Sequence, residues 1–578
     1  MPGKREIKAP AREAVAPSTD PVWLRPVVAA LAALLLAGLF SPPIADSDFW
    51  WHLRTGQYIA QHHALPVPDP FAWTTARVAA AHPAEAFTRR FNLTHEWLAQ
   101  LAMYGVWRLG GFAGLAAARA LLLLAVCALT GLICARRAGS FYLGVAGALA
   151  AGAVLAPFAL DRPFLVTFLF LALTLAAIEY RRLLWALPAL FLAWANAHGG
   201  YVMGFAVLGA YCAESLWFRR RDTTLWLAAA ACVAVAAVNP NGLGIFRTLV
   251  EYRGSFMQGR LLEWSRPSLW PPAPFSVLLF AAALLMALNR RKVRPADWLL
   301  LAAFGAAAVA AQRNTAFLGL VAPPCIAGAW PWRRPLPALA RTLAPAALTA
   351  GVIALAASGG YFQFRAGEWK YPKGAADFLA AHRVTAPLFN TYEHGGYLIW
   401  RLAPRERVFI DGRALSDALF QDYARILYNH DDNDGLPGGE QLLDRYGVEV
   451  IVMNTFEPSS GAVYVLAPAL ADPSQKTWKL VYNDPQAVVF MRTPPPGVTP
   501  LNSLDVLSHM ETECSLHLEN EPEYPRCARS LGDVFLKIGD TERARRWLAR
   551  YLQLAREPDP AAEQALARLI GGVRPAAR

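Results

Sequence analysis

The sequence predicts a polytopic α-helical membrane protein that continues into a small α/β domain and a short helical tail. Of the 578 residues, 55% are hydrophobic and only 17% are charged, whereas about a quarter of the residues in a soluble protein carry a charge. Apolar stretches recur as far as about residue 360, and each approaches the ~20 residues that cross a bilayer. The composition beyond residue 360 is that of a soluble domain.

The apolar stretches predict about eleven transmembrane helices in the region 23–360. They lie near 23–43, 112–135, 141–160, 164–180, 183–197, 201–218, 224–239, 274–289, 297–312, 314–331 and 342–360. A long loop, 45–111, follows the first stretch and closes with "THEWLAQLAMYGVWRLGG". Its apolar residues recur at helical spacing, which predicts an amphipathic helix in the membrane interface that ends at Gly110-Gly111. The loop from about 241 to 274 has the same amphipathic, tryptophan-bearing character.

Basic residues indicate the orientation of the chain. Much of the lysine and arginine lies in the segment 1–22 and in short clusters between spans, at 136–137, 181–182, 219–221, 290–292 and 333–334. Such clusters favour the cytoplasmic side. We therefore expect an inner-membrane protein with a cytoplasmic N-terminus and a periplasmic C-terminal domain. The same distribution argues against nucleic acid as the partner, despite a net charge of +12.

The C-terminal part predicts two further regions. Between 361 and 497, short β-branched runs alternate with helical patterns, which is typical of an α/β layer domain. From 498 to 578 the spacing resembles one tetratricopeptide-type helix pair followed by a further helix. One repeat cannot bury its own faces, so we expect this tail to pack on the α/β domain or on a protein partner. Cys514 and Cys527 both fall in the tail, and a disulfide between them is one of two open alternatives.

Polar residues on the predicted periplasmic side are the candidate site. Two carboxylates, Asp46 and Asp48, occur in "ADSDFWWH" directly after the first span. Other polar residues are expected at the same level, namely His52, Glu96, Arg162, Asn196, His198, Glu263 and Arg313. An ionisable group at membrane depth is costly unless it is paired. One explanation is a shared polar cavity; the other is that the residues are helix caps and ion pairs that stabilise the bundle.

A periplasmic cavity of this kind suits a lipid-linked sugar donor. Transfer needs a base for the acceptor hydroxyl, here Asp48 or Asp46. It also needs cations for the departing phosphate, for which Arg162, His198 and Arg313 are candidates. The two aspartates can alternatively hold a divalent cation, Mg²⁺ or Mn²⁺, with Glu96 or Glu263 as a further ligand.

The chain also resembles a known superfamily. The Asp-x-Asp sequence after the first span, the number of spans and the C-terminal α/β domain are similar to those of GT-C membrane glycosyltransferases. The segments "DSDFWWHLRTGQYI", "DRPFLVTFLFLAL", "WANAHGGYVMG", "FNTYEHGGYLIW" and "VFIDGR" resemble a group of largely uncharacterised bacterial multi-pass membrane proteins. The resemblance implies transfer from a polyprenyl-phosphate-linked sugar to a glycan, lipid or protein acceptor, with Asp46 or Asp48 as the base. The chain lacks the Trp-Trp-Asp motif of oligosaccharyltransferases, which argues against asparagine glycosylation.

The competing hypothesis is a protein that is not an enzyme. A membrane protein of envelope polysaccharide assembly, binding or moving a lipid head group, would share the spans and the partner-binding tail. Transporters often contain internal repeats. This sequence shows none, and its polar loops lie on one side, so the enzyme is the favoured hypothesis.

Overall fold

The computed structural model describes residues 20–80, 83–218, 222–246, 262–331, 337–413, 415–458, 460–520 and 522–571. The chain divides into two compact units. Unit 1 comprises 1–44, 105–244 and 258–366, and unit 2 comprises 45–104, 245–257 and 367–578. The basic residues of the first 19 positions, the clusters 219–221 and 333–334, and most of the second amphipathic segment, 247–261, lie outside the described residues.

Helices make up most of the described chain. From the N-terminus to residue 357 they are α1 Leu24–Leu39, α2 Phe49–His62, α3 Pro83–Thr94, α4 Trp97–Ala138, α5 Phe141–Leu155, α6 Phe164–Tyr180, α7 Leu187–Ala197, α8 Tyr201–Trp217, α9 Thr223–Ala236, α10 Pro274–Leu288, α11 Pro295–Ala310, α12 Thr315–Ala329 and α13 Ala338–Ala357. Helix α4 is interrupted at Gly111, whose φ of 58° is left-handed and therefore suits glycine. The interruption confirms the predicted helix end at this position.

Each of the predicted spans contains a helix, but few of these helices have full transmembrane length. Among the described residues, three helical stretches are long and apolar enough to cross a membrane: Glu85–Ala138, Phe141–Phe158 and Ala338–Ala357. Further apolar helices, including α1 and α6, have 10–17 residues. Since a helix rises about 1.5 Å per residue, they are shorter than the ~30 Å hydrocarbon core. About eleven crossings therefore remain a prediction.

Unit 1 packs its helices closely through small residues. A Cβ atom on Gly131 of α4 would lie 2.8 Å from the carbonyl oxygen of Gly144 on α5. A Cβ atom on Gly144 would likewise lie 2.8 Å from the carbonyl oxygen of Gly131. Large apolar side chains point outward on other helices. Examples are Phe280, Leu288 and Ile353, which are 57%, 71% and 62% exposed. Close contacts at glycine and outward-facing apolar side chains are both typical of helices in lipid.

Unit 2 is built on a small mixed sheet. Its strands are β1 Leu388–Asn390, β2 Val450–Met453, β3 Lys479–Asp484 and β4 Ala487–Met491. In the described residues they form a four-stranded sheet in the order β1-β2-β4-β3, with β1 parallel to β2 and the other pairs antiparallel. Besides α2, α3 and the first residues of α4, unit 2 contains the helices α14 Lys373–Ala381, α15 Tyr392–Leu402, α16 Asp417–Leu427, α17 Gly439–Tyr446, α18 Leu466–Ala471, α19 Asp505–Asn520, α20 Arg526–Lys537, α21 Thr541–Leu554 and α22 Pro560–Ile570.

The loop after the first apolar helix belongs to unit 2. Ala72 forms a parallel bridge with Val408, and the Trp73 indole donates a hydrogen bond to the carbonyl of Leu388 at the start of β1. The sequence-based limits placed 45–111 with the transmembrane region. The physical reason for the difference is that the aromatic side chains of this loop, such as Trp73, complete the core of the α/β domain.

The helical tail packs on the α/β domain, as predicted. Val506 and Met510 of α19 are fully buried in the same core as Ile451 and Phe490 of the sheet. Helices α20 and α21 meet at Gly532, where a Cβ atom would lie 2.7 Å from the Leu548 side chain. Cys514 and Cys527 form a disulfide. The docking of the tail on this chain accounts for its buried face, while a separate protein partner stays a prediction.

Candidate functional site

The acid pair, Asp46 and Asp48, lies in unit 2 immediately before helix α2. The Asp46 Oδ1 atom accepts a hydrogen bond from the Asp48 backbone N–H at 2.9 Å. The Asp48 Oδ1 atom accepts one from the Trp51 indole N–H at 3.1 Å. Both carboxylates stand at the N-terminus of the helix, where negative charge is favourable. The local sequence Asp-x-Asp-x-x-Trp thus orients the two predicted catalytic groups.

Two motifs of the α/β domain contact this helix start. A Cβ atom on Gly396 of α15 would lie 2.4 Å from the Ser47 carbonyl oxygen, and one on Gly412 would lie 1.8 Å from Asp48 Oδ1. Trp50 packs edge-on against Tyr397 with ring centroids 4.8 Å apart. The segments "EHGGY" and "IDGR" therefore form one wall around the acid pair.

A buried ion cluster holds the "IDGR" segment to the first loop. The Arg413 guanidinium contacts both oxygens of Asp69, at 2.6 and 3.1 Å, and both oxygens of Asp411, each at 2.7 Å. The side chains of Arg413, Asp69 and Asp411 are 2%, 1% and 2% exposed. Burial lowers the pKa of Arg413, but Asp411 and Asp69 outweigh it and raise that pKa above its ordinary value. The arginine therefore stays charged and joins two segments that are distant in the sequence.

His52 and Glu96, two of the predicted site residues, lie close together. His52 Nδ1 lies 3.7 Å from Glu96 Oε2 and 3.2 Å from the Gln100 side-chain nitrogen. On the other side of the carboxylate, His95 Nε2 lies 3.4 Å from Glu96 Oε1. Helices α2 and α4 can pack closely at Gly56 because glycine has no Cβ atom. A Cβ atom at this position would lie 2.0 Å from the Gln100 carbonyl oxygen. This polar group lies within unit 2, like the acid pair.

The residues around the acid pair do not form a recognisable metal site. Within the described residues, no group of three or more His, Cys, Asp or Glu side chains is arranged to hold a metal ion. One oxygen of each aspartate already accepts a hydrogen bond, whereas Mg²⁺ prefers near-octahedral oxygen coordination. We therefore derive no step through a metal, and the expected divalent cation stays a prediction.

Three predicted site residues form an arginine cluster in unit 1. Arg313 Nη1 lies 3.3 Å from Glu263 Oε1, and Arg162 Nη1 lies 3.9 Å from Glu263 Oε2. The Arg313 guanidinium also lies over the Trp264 ring, 4.5 Å from its centroid. Side-chain exposure is 24% for Arg162, 33% for Arg313 and 43% for Glu263. Two partly exposed guanidinium groups thus share one loosely held carboxylate.

Asn196 and His198 make contacts at the ends of neighbouring helices. The Asn196 side-chain N–H group donates to the carbonyls of Leu192 and Val238, at 2.9 and 2.8 Å. His198 Nδ1 accepts the Gly200 backbone N–H at 3.0 Å and lies 2.8 Å from the Thr167 hydroxyl. These contacts match the alternative of helix capping at the end of α7. A role of either residue in substrate binding stays a prediction.

The comparisons with known proteins do not assign the chain to a family. No family model matches the chain, and no curated protein matches it. The candidate functional residues thus fall into two groups, the acid pair in unit 2 and the arginine cluster in unit 1.

The sequence analysis did not single out a polar group at the carboxyl ends of β1 and β2. Four side-chain atoms there have no hydrogen-bond partner among the residues that the structure describes, namely Thr391 Oγ1, Glu393 Oε2, His394 Nδ1 and Asn454 Oδ1. Burial raises the pKa of Glu393 to about 7, although Tyr464 donates a hydrogen bond to it. Burial also lowers the pKa of His394 to about 4. Both groups favour their neutral forms. The "EHGG" motif was a signal for this position, but its burial was not visible in the sequence.

A second group that the sequence analysis missed lies in unit 1. Arg137 was interpreted only as an orientation marker, yet its side chain is 7% exposed and pairs with Glu179 and Asp297 at 2.8 and 2.9 Å. Buried charges require such partners. Arg137 therefore joins helices α4, α6 and α11, in addition to any part in setting the topology.

Proposed function

We propose that this protein is a GT-C-like glycosyltransferase of the bacterial inner membrane. It transfers a sugar from a polyprenyl-phosphate-linked donor to an acceptor on the periplasmic side. The observation that carries the proposal is the fixed carboxylate of Asp48, held by Trp51 and Gly412 at the start of α2. A carboxylate held in this way supplies the general base that such a transfer requires.

Asp48 acts as the general base in this proposal. Its carboxylate takes the proton from the acceptor hydroxyl as that oxygen attacks the anomeric carbon of the donor sugar. Asp46 orients the helix start, since its Oδ1 atom binds the Asp48 backbone N–H. The bond between the anomeric carbon and the phosphate oxygen breaks, and the phosphate leaves with the electron pair.

Within unit 1, the arginine cluster carries positive charge that suits a lipid phosphate. Arg162 and Arg313 contact Glu263 at 3.9 and 3.3 Å, which is longer than the 2.7–2.9 Å of a strong charged hydrogen bond. A phosphate can therefore compete with Glu263 for these guanidinium groups, and arginine binds phosphate in a bidentate manner. The Trp264 ring beneath Arg313 keeps that side chain in place.

An apolar cavity in unit 1 fits the lipid portion of such a donor. It has a volume of about 300 Å³ and is lined mainly by apolar side chains, including Val154, Pro157, Phe158, Pro274 and Phe275. Gln312, which precedes Arg313 in the chain, contributes to its wall. A polyprenyl chain requires an apolar groove next to a phosphate-binding group, and unit 1 contains both features.

The test compares variants in a strain that lacks the gene. Wild type, Asp48→Asn and Arg313→Gln are expressed at equal levels, and envelope glycans and polyprenyl-linked sugars are measured by mass spectrometry. Loss of a general base lowers the rate by about 10²–10⁴-fold, so Asp48→Asn should accumulate the lipid-linked donor as the deletion does. Asp444→Asn is the matched control, because Asp444 is 62% exposed and pairs with Arg492 at the surface, where an ion pair contributes little.

The result also separates the enzyme from the competing hypothesis. If the protein only binds or moves a lipid head group, deleting it removes that function. A general base at position 48 is not required for it. If the deletion changes the envelope glycans while Asp48→Asn restores them fully, the catalytic assignment is wrong.

A further inference from the structure

The carboxylate of Asp48 touches the backbone of a residue more than three hundred positions away. A Cβ atom built on Gly412 would lie 1.8 Å from Asp48 Oδ1, 2.8 Å from Asp48 Cγ and 3.1 Å from the Trp51 indole nitrogen. Trp51 donates its hydrogen bond to the same oxygen, Asp48 Oδ1, at 3.1 Å. The carboxylate is thus enclosed by the indole on one side and by a bare Cα atom on another.

The segment that contains Gly412 is firmly anchored on both sides. Before it, the Ile410 carbonyl accepts a hydrogen bond from the Asn390 side chain at the end of β1. After it, Arg413 is held by Asp69 and Asp411 in the buried ion cluster. Within the segment, the Arg413 backbone N–H donates to Asp411 Oδ1 at 3.0 Å. The Gly412 backbone therefore cannot shift easily. A side chain at this position must displace the Asp48 carboxylate instead.

We propose that Gly412 is a positioning residue for Asp48, and that the α/β domain thereby fixes the geometry of the acid pair. The absence of a side chain lets the "IDGR" segment lie against the carboxylate and restrict it to one orientation. The consequence for sugar transfer rests on the proposed function. The placement of the carboxylate itself does not.

The variant Gly412→Ala tests the placement directly. The new methyl group requires a shift of about 1.2 Å or more to restore a 3.0 Å contact with Asp48 Oδ1. The matched control is Gly374→Ala, whose Cβ atom would lie 2.3 Å from Asp484 Oδ2 and 2.0 Å from the Tyr482 hydroxyl. Both variants place a methyl group against an aspartate in unit 2. In Gly412→Ala this aspartate is Asp48, and in Gly374→Ala it is Asp484.

The first readout does not depend on activity. The purified full-length protein in detergent is treated with a water-soluble carbodiimide and a primary amine, and the modification of each aspartate is followed by peptide mass spectrometry. We expect Gly412→Ala to change the modification rate of Asp48 but not that of Asp484. Gly374→Ala should do the reverse. An unchanged rate at Asp48 in Gly412→Ala, or equal changes at both aspartates in both variants, would overturn the inference.

The second readout is the glycan assay described for Asp48→Asn. A misplacement of about 1 Å at a reacting group can lower a rate about 10²-fold, so Gly412→Ala should accumulate the lipid-linked donor while Gly374→Ala should not. Full glycan output from Gly412→Ala, with a clear loss from Asp48→Asn, would overturn the catalytic part of the inference and leave the proposed function intact. Full output from Asp48→Asn would overturn the proposed function, and the carbodiimide result would still decide the placement.

Discussion

Replacing Arg413 by methionine should loosen the contact between the first loop and the α/β domain. The guanidinium makes four hydrogen bonds to the carboxylates of Asp69 and Asp411, at distances from 2.6 to 3.1 Å. Methionine fills similar space without charge, so the two carboxylates remain buried without their cation. Breaking a buried ion pair in this way costs about 3–5 kcal/mol.

Hydrogen exchange can measure this cost where it is expected. The Trp73 and Val408 amides donate hydrogen bonds to Val408 and Phe71, at 3.1 and 2.9 Å, and these bonds join the two segments that the ion cluster connects. Because 1.36 kcal/mol corresponds to tenfold, a local loss of about 3–5 kcal/mol accelerates exchange by about 10²–10⁴-fold where local opening governs it. Peptides from the full-length protein in detergent report both amides.

The matched control lies in the same unit. Strands β3 and β4 do not contain the ion-cluster residues, so peptides covering them should exchange at nearly the wild-type rate. Rates at Trp73 and Val408 within about threefold of wild type would refute the argument that Arg413 holds the first loop. Equal acceleration in β3 and β4 would show global destabilisation instead.

Three further predictions concern stability and topology. Cys514→Ser/Cys527→Ser opens a disulfide with a sequence separation of 13, which should cost about 3 kcal/mol by loop entropy; hydrogen exchange in α19 and α20 should accelerate, and unchanged exchange would contradict the prediction. Burial raises the pKa of Glu393 to about 7, above the roughly 4.3 of an unfolded chain, so this group's stabilising contribution is lost as pH rises from about 4 to 7. Glu393→Gln should therefore gain thermal stability relative to wild type at pH 8 but not at pH 4, and an equal difference at both values would count against it. Because all five free cysteines are buried, an impermeant maleimide should label Ala64→Cys in intact cells and Arg291→Cys only after permeabilisation; the reverse pattern would overturn the proposed topology.

Local sequence patterns predicted much of the secondary structure. Apolar stretches marked the helices of unit 1 to within a few residues, and Gly110-Gly111 marked the break in α4. The strands of unit 2 fall where short β-branched runs such as "VEVIVMN" predicted them. The sequence placed the acid pair directly after the first span, whereas the helix that begins at Phe49 is seen only in the structure. The predicted features depend on neighbours a few residues apart, so one sequence is enough to reveal them.

Only the tertiary structure decided which of these segments come together. It placed the loop 45–104 with the α/β domain, Gly412 against Asp48, and Arg162 with Glu263 and Arg313. It also paired Asn196 with Val238 and His198 with Thr167. Such pairings join residues that are tens to hundreds of positions apart, and the packing of whole elements selects them. The local sequence around a glycine or an arginine does not indicate which distant residue it contacts. Its role can therefore be identified only from the folded structure.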